Sequence, residues 1–265
     1  MKGIRIICFS PTGSTRKLAQ TVAESLELPV ALTDCTMPEA RAALNASGAD
    51  IDPDETLLFA CPVYYGRAQA DAAACFRTLR GRGQPVILLV NYGNRHYDDA
   101  LRELYDIALA GGFTPVAAAA FVSEHSFSTA DYPMAAGRPD AADLDMARRF
   151  GAAVRKALQS GPVPMPAPPG NAEYKPYPEF HRAPVSVDGC TLCGVCASVC
   201  PVEAITLTDN AVVTLESACI VCQACVKQCP EGVRLDAAPG SVETREHLKK
   251  LGLLDTRREP EVFGV

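Results

Sequence analysis

The sequence predicts an α/β chain, with a doubly wound five-stranded parallel sheet followed by a second, smaller α+β domain organised by cysteine. Three observations carry this. From the N-terminus to Ser160, short continuous apolar runs alternate with helical periodicity, the pattern of strands buried on both faces of a parallel sheet and of the helices that cover them. Eight prolines between Gly161 and Pro184 then exclude any regular element. From Cys190 to Pro230 one pattern, C-x2-C-x2-C-x3-C-P, occurs twice, the first copy starting at Cys190 and the second at Cys219. The expected division is therefore 1–160, a linker 161–184, a cysteine domain 185–238, and a C-terminal helix and tail 239–265.

Composition narrows the function classes. The chain has 265 residues, 48% of them hydrophobic, and a formal net charge of -6. Neither half carries the basic excess that nucleic acid or an anionic membrane surface would need. The strand-like opening MKGIRIICFS has no apolar leader, and no run approaches the length of a membrane span, so a cytoplasmic protein without one is expected. Twelve cysteines in a reducing compartment point to metal or redox chemistry. Cys8, Cys35, Cys61 and Cys75 have no ligand spacing and read as buried thiols.

In chain order, Ile4 to Phe9 is the first strand, followed by Ser10-Pro11-Thr12-Gly13-Ser14-Thr15 and a helix with the stripe Leu18, Val22 and Leu26. A turn rich in hydroxyls at a helix N-terminus offers backbone N–H groups and added donors to a phosphate. It carries neither a Walker lysine nor G-x-G-x-x-G, which favours a monophosphate over a triphosphate or dinucleotide. Further strands are expected at Val30 to Leu32, Thr56 to Ala60, Val86 to Asn91 and Val116 to Val122, with helices at Pro38 to Leu44, Ala68 to Leu79, Asp98 to Ala110 and Asp140 to Leu158. In such sheets ligands bind beyond the carboxyl ends of the strands. There stand Cys61-Pro62-Val63-Tyr64-Tyr65-Gly66 and Asn91-Tyr92-Gly93-Asn94-Arg95-His96-Tyr97. The stretch from Ser123 to Pro139 forms a loop long enough for a lid or partner surface. His125 within it reads as structural.

With these loops the N-terminal domain, 1–160, resembles a flavodoxin. The resemblance implies a flavodoxin-like fold and FMN as cofactor. Carried over by position, the phosphate contacts fall on Ser10, Thr12, Gly13, Ser14 and Thr15. Ring contacts fall on Pro62, Tyr64, Tyr65, Gly66, Asn91, Tyr92, Gly93, Asn94 and Tyr97, with the Gly66 carbonyl at the flavin N5 hydrogen. The chain departs from small flavodoxins in having no tryptophan. Arg95 and His96 stand open between neutralising a reduced flavin and lying in solvent.

The proline-rich linker reads as polyproline II, a surface strap with Tyr174, Tyr177 and Phe180 as anchors. The cysteine repeat that follows resembles two-cluster bacterial ferredoxins. Zinc, which prefers separated C-x2-C pairs, and disulfides, which need an oxidising compartment, fit it less well. The resemblance implies two [4Fe-4S] clusters with crossed ligand sets, one of Cys190, Cys193, Cys196 and Cys229, the other of Cys219, Cys222, Cys225 and Cys200. Ile205, Leu207, Val213 and Leu215 flank an Asp209-Asn210 turn and predict a short hairpin. Val242 to Leu251 reads as a helix ended by Gly252; the sequence does not decide where the tail packs.

As a whole the chain is similar to flavodoxin/ferredoxin fusion proteins of anaerobes. The resemblance implies an electron-transfer iron-sulfur flavoprotein passing single electrons between two clusters and FMN, and on to a redox partner protein. The alternatives are a ferredoxin-fed FMN reductase of a small organic acceptor, and a docking module without flavin. Flavin and cluster could meet within one chain or across a homodimer interface.

Overall fold

The computed structural model describes residues 2–47, 51–178, 182–254 and 256–265. Phe180, one expected anchor, lies outside them. The chain opens with β1 (Gly3–Cys8), α1 (Ser14–Glu24), β2 (Val30–Asp34), α2 (Pro38–Ser47), β3 (Glu55–Tyr64), β4 (Arg67–Ala68) and α3 (Ala70–Thr78). It continues with β5 (Pro85–Tyr92), α4 (Ala100–Ala110), β6 (Thr114–Val122) and α5 (Ala141–Gln159).

The five long strands are parallel in the order β2-β1-β3-β5-β6, the flavodoxin-like order 2-1-3-4-5. Alternation along each strand makes the two layers. Ile4 and Ile6 of β1 join Leu58 of β3, Leu18 and Val22 of α1 and Phe150 and Val154 of α5 on one face. Ile7 joins Phe59, Phe76 of α3 and Leu101 and Leu104 of α4 on the other. Because both faces are covered, the strands read as continuous apolar runs in the sequence. Cys8, Cys35, Cys61 and Cys75 are all buried in these layers. The last helix starts on a reciprocal cap: the Asp140 carboxylate accepts from the Asp143 N–H, and Asp143 accepts from the Asp140 N–H.

The proline-rich segment lies along α4. Asp99 accepts from Asn171 and Lys175, and the Tyr174 hydroxyl donates to Asp106 at 2.6 Å. Arg67, itself paired to the buried carboxylate of Glu103 at 2.8 Å, lies against the Tyr174 and Tyr177 rings.

The cysteine domain holds β7 (Val185–Ser186), α6 (Val195–Ser198), β8 (Ile205–Leu207), β9 (Val212–Thr214), α7 (Ala224–Lys227) and β10 (Arg234–Leu235). β8 and β9 form the expected antiparallel hairpin, and β10 pairs with β7. Then come α8 (Pro239–Lys250) and β11 (Glu261–Phe263). β11 adds antiparallel to the outer edge of β6, so the tail returns to the first domain. The central sheet thus has two strands beyond the five expected, β4 and β11, both antiparallel. Among the described residues no helix is long and apolar enough to cross a membrane.

Candidate functional site

The loops at the carboxyl ends of β1, β3, β5 and β6 converge on a cavity of about 240 Å³. The first loop is shaped from within. Ser10 Oγ accepts the Arg16 N–H at 3.0 Å, the Ser10 carbonyl accepts the Gly13 N–H, and Gly13 sits at φ 85 before the first turn of α1. That left-handed step favours glycine. It leaves Thr12, Ser14 and Thr15 on the cavity wall, while Ser10 and Gly13 are not part of it. Asn91, at the end of β5, ties three loops together: its carbonyl accepts from Thr15, and its amide donates to Ser14 at 3.2 Å and to Ser123 at 2.9 Å.

The second loop shows what holds its glycine. Tyr64 pairs with Arg67 across Tyr65 (φ 57) and Gly66 (φ 81), a two-residue hairpin turn with both central residues left-handed. The Gly66 carbonyl accepts the Asp99 N–H at 2.9 Å, and a Cβ at Gly66 would overlap Asp98. Gly66 therefore serves the turn and does not line the cavity, whereas Pro62, Tyr64 and Tyr65 do. Burial pushes both tyrosine hydroxyls up, Tyr65 to about 12 despite nearby Arg182.

The third loop divides. Tyr92 and Gly93 face the cavity, as does Arg95, which sequence reasoning left open. Asn94 and Tyr97 do not. The Asn94 amide donates to the carbonyls of Leu253 and Thr256 at 2.9 and 2.6 Å, and Tyr97, 1% exposed, donates to Glu261 of β11 at 2.8 Å. Both hold the returning tail, which sequence spacing could not place. His96 stacks on the outer side of Tyr97.

The remaining wall comes from the long loop after β6, expected as a lid or partner surface, and from segments that no motif marked. Residues 123–127 supply one side, with His125 against Gly93, where a Cβ would run into the ring. Burial lowers the His125 imidazole to about 4, helped by Lys227, Arg95 and Arg245. Its Nδ1 accepts the Phe127 N–H at 3.1 Å, so the single proton sits on Nε2. The roof is Arg182, residues 220–222, and Thr244 and Leu248 of α8. Phe127, Met134, Val221, Leu248 and Leu253 form one apolar cluster across this seam. Around it, Arg41 donates to the Pro201 carbonyl at 2.7 Å, Glu124 pairs with Lys227, and Arg245 donates to the Phe127 carbonyl at 3.2 Å. These polar ties and the apolar cluster seat the cysteine domain on the first.

In that domain the sequence repeat is also a backbone repeat. Leu192 and Val221, one position before the second cysteine of each run, are left-handed at φ 54 and 55; Gly194 and Gln223, one position after it, follow at φ 80 and 64. A β-branched residue held there is strained and needs its surroundings to keep it. Wound this way, each loop turns its thiols inward. Cys190, Cys193, Cys196 and Cys229 line one hollow, and Cys200, Cys219, Cys222 and Cys225 a second. The first lies nearer the surface, with Cys193 exposed; in the second Cys200, Cys222 and Cys225 are buried. The Ala204 N–H donates to Cys200 Sγ at 3.3 Å and the Val221 N–H to Cys219 Sγ at 3.4 Å. Among the described residues no group of His, Cys, Asp or Glu closes tightly enough to hold a single ion. Two buried donors at the hollows, Gln223 Nε2 and Arg234 Nε, have no protein acceptor. Eight thiols in two sets of four, with one unsatisfied buried donor at each hollow, fit two anionic sulfur-rich groups. Ile220 and Cys222 line both the second hollow and the interdomain cavity.

Residues 184–234 match the family of 4Fe-4S dicluster domains. Over the first domain, the rubredoxin oxygen:oxidoreductase of the anaerobe Desulfovibrio gigas aligns at 16% identity and a TM-score of 0.43, covering 60% of this chain and 37% of its own. The chain thus spans little more than a third of that oxidoreductase. A flavodoxin of Streptococcus pneumonia TIGR4 aligns at 16% identity and a TM-score of 0.41, over 57% of this chain and 98% of its own. An archaeal flavodoxin gives 12% and 0.38, over 59% and 99%. No curated protein sequence matches the chain. The assignment of the first domain rests on its strand order and covered sheet.

Proposed function

We propose that this chain is an electron-transfer protein in which the eight cysteines hold two [4Fe-4S] clusters and the interdomain cavity holds FMN, with electrons passing on to a redox partner. The observation that carries it is the shared wall: Ile220 and Cys222 line both the deeper hollow and the cavity with the hydroxyl loop. Cys190, Cys193, Cys196 and Cys229 would hold the outer cluster, and Cys200, Cys219, Cys222 and Cys225 the inner one. Thr12 and Ser14 would receive the phosphate through hydroxyls, and Thr15, whose hydroxyl donates to Asn91, through its place in the N-terminal turn of α1. Tyr64, Tyr65, Tyr92 and Gly93 would frame the flat ring, aromatic faces against its surface and glycine backbone against its polar edge. When bound, the clusters supply one-electron exchange and the flavin one- or two-electron exchange.

The chain's own residues do the positioning. Asn91 locks three loops in one register, neutral His125 places an Nε2–H donor in the cavity wall, and the α8 seam keeps water from the shared wall. The roof is built from the cysteine domain and α8, which supports electron exchange with the inner hollow over entry of a soluble acceptor. The test is anaerobic purification with iron, sulfide and flavin counted per chain, followed by a stepwise reductive titration watched by absorbance and EPR. About eight irons and one FMN are expected, with cluster electrons reaching the flavin. Eight irons with no flavin, even after FMN is added, would overturn the flavin half of the reading. Steady turnover of a small soluble acceptor beyond free FMN would favour the reductase instead.

A further inference from the structure

Arg234 is 1% exposed and is the largest fully buried side chain among the described residues. A guanidinium keeps its charge at any accessible pH. Two other buried arginines meet carboxylates: Arg138 pairs with Asp143, and Arg245 with Asp236. Among the described residues no carboxylate pairs with Arg234. Its Nη1 donates to Ser186 Oγ at 3.1 Å, its Nη2 donates to Thr214 Oγ1, and its Nε has no acceptor. Its hydroxyl partners are neutral, a further hydrogen bond goes to the Cys225 thiol, and a buried charge without a counter-charge is strongly unfavourable.

The position of this cation relative to the hollows is specific. Ser186 and Arg234 itself line the hollow of Cys190, Cys193, Cys196 and Cys229, while Thr214 lines the hollow of Cys200, Cys219, Cys222 and Cys225. Each arm of the fork therefore ends on the rim of a different hollow. Cys196 and Cys225, the third cysteine of each run, share one buried cluster with Cys200 and Ile205. Arg234 thus reaches the rims of both sets of ligands.

Four thiolates on a [4Fe-4S] core carry net negative charge, and taking up one electron adds one more unit without making or breaking a bond. We propose that Arg234 is the shared counter-charge of the two clusters, a positioning residue that stabilises their reduced forms and so raises both reduction potentials. The proposal rests on the two-cluster reading above. Burial in a low-dielectric interior lets a single charge act on both sites with little screening.

The experiment is an EPR-monitored redox titration of the full chain, purified anaerobically, for the wild type, Arg234→Gln and Arg234→Lys, with iron counted in each. Arg234→Gln is expected to shift both cluster potentials negative, each by at least a tenfold change in the reduction equilibrium, which is about 59 mV for a one-electron couple. Arg234→Lys, which keeps the charge and loses the fork, is expected to stay nearer the wild type. Unmoved potentials in an Arg234→Gln chain with full iron would overturn the proposal, as would a shift confined to one cluster. Should Arg234→Gln lose its iron, Arg234→Lys decides: retained iron and potentials support charge compensation, and loss equal to that of Gln shows that the shape of the fork was what mattered and overturns it. A wild-type chain without iron would instead remove the cluster reading itself.

Discussion

The two domains are stabilised by different kinds of interior. The first packs a five-stranded parallel sheet between two apolar layers rich in Ile, Leu, Val, Ala and Phe, which close on each other through their own side chains. The second has one small cluster, in which Cys196, Cys200 and Cys225 stand beside Ala204 and Ile205. Much of the side-chain mass at its centre is thiol, its loops hold left-handed non-glycine residues, and its largest buried side chain is a cation. A unit this small rarely closes on its own apolar area. In the first domain a cofactor would be a guest between loops. In the second, the clusters would be the core.

This contrast can be broken most directly by removing iron. Anaerobic chelation should make the segment 184–234 susceptible to protease while the first domain stays resistant, because metal binding in such units is coupled to folding; limited proteolysis read by mass spectrometry checks this. A cysteine domain still protected after iron loss would end the comparison. Next in size, Phe59→Ala should cost the first domain about 3–5 kcal/mol, since Phe59 is fully buried and stacked on Phe76 at 5.0 Å. Urea unfolding followed by far-UV circular dichroism would show it, with iron content unchanged if the two interiors are independent.

The seam between the domains should respond to pH. The His125 imidazole is lowered to about 4 in the folded chain by burial first and by three basic neighbours after it. Below the ordinary histidine range and down to that value, the unfolded chain binds a proton that the folded chain excludes. Stability therefore falls as pH drops through that window, by on the order of 2 kcal/mol between pH 7 and pH 5. His125→Gln should flatten this slope in urea midpoints taken across the same range; an unchanged slope would mean that the ring is wet. The smallest expected effect is at the tail. Tyr97→Phe removes the hydrogen bond to Glu261 and should cost about 0.5–1.5 kcal/mol, seen as faster amide exchange confined to β11.

The features legible before folding are those that neighbouring residues decide together. Apolar runs against helical periods marked the five parallel strands and their helices, because strands covered on both faces must be apolar throughout. The hydroxyl turn after β1 was legible because such a turn is built from consecutive residues. The cysteine spacing marked two short runs, although it was the resemblance to two-cluster ferredoxins, not the spacing, that suggested the crossed sets of four. Which of those residues meet is a matter of tertiary packing. Gly66 is taken up by a hairpin turn and the Asp99 N–H, and Asn94 and Tyr97 by a tail from the far end of the chain. Residues 123–127 reach the cavity from the end of β6, whereas Ile220, Thr244 and Leu248 reach it only because burying the apolar seam folds the cysteine domain and α8 back over the sheet. Arg234 lies between the hollows only because β10 pairs with β7. Such encounters are set by which surfaces exclude water together, and no local period records them.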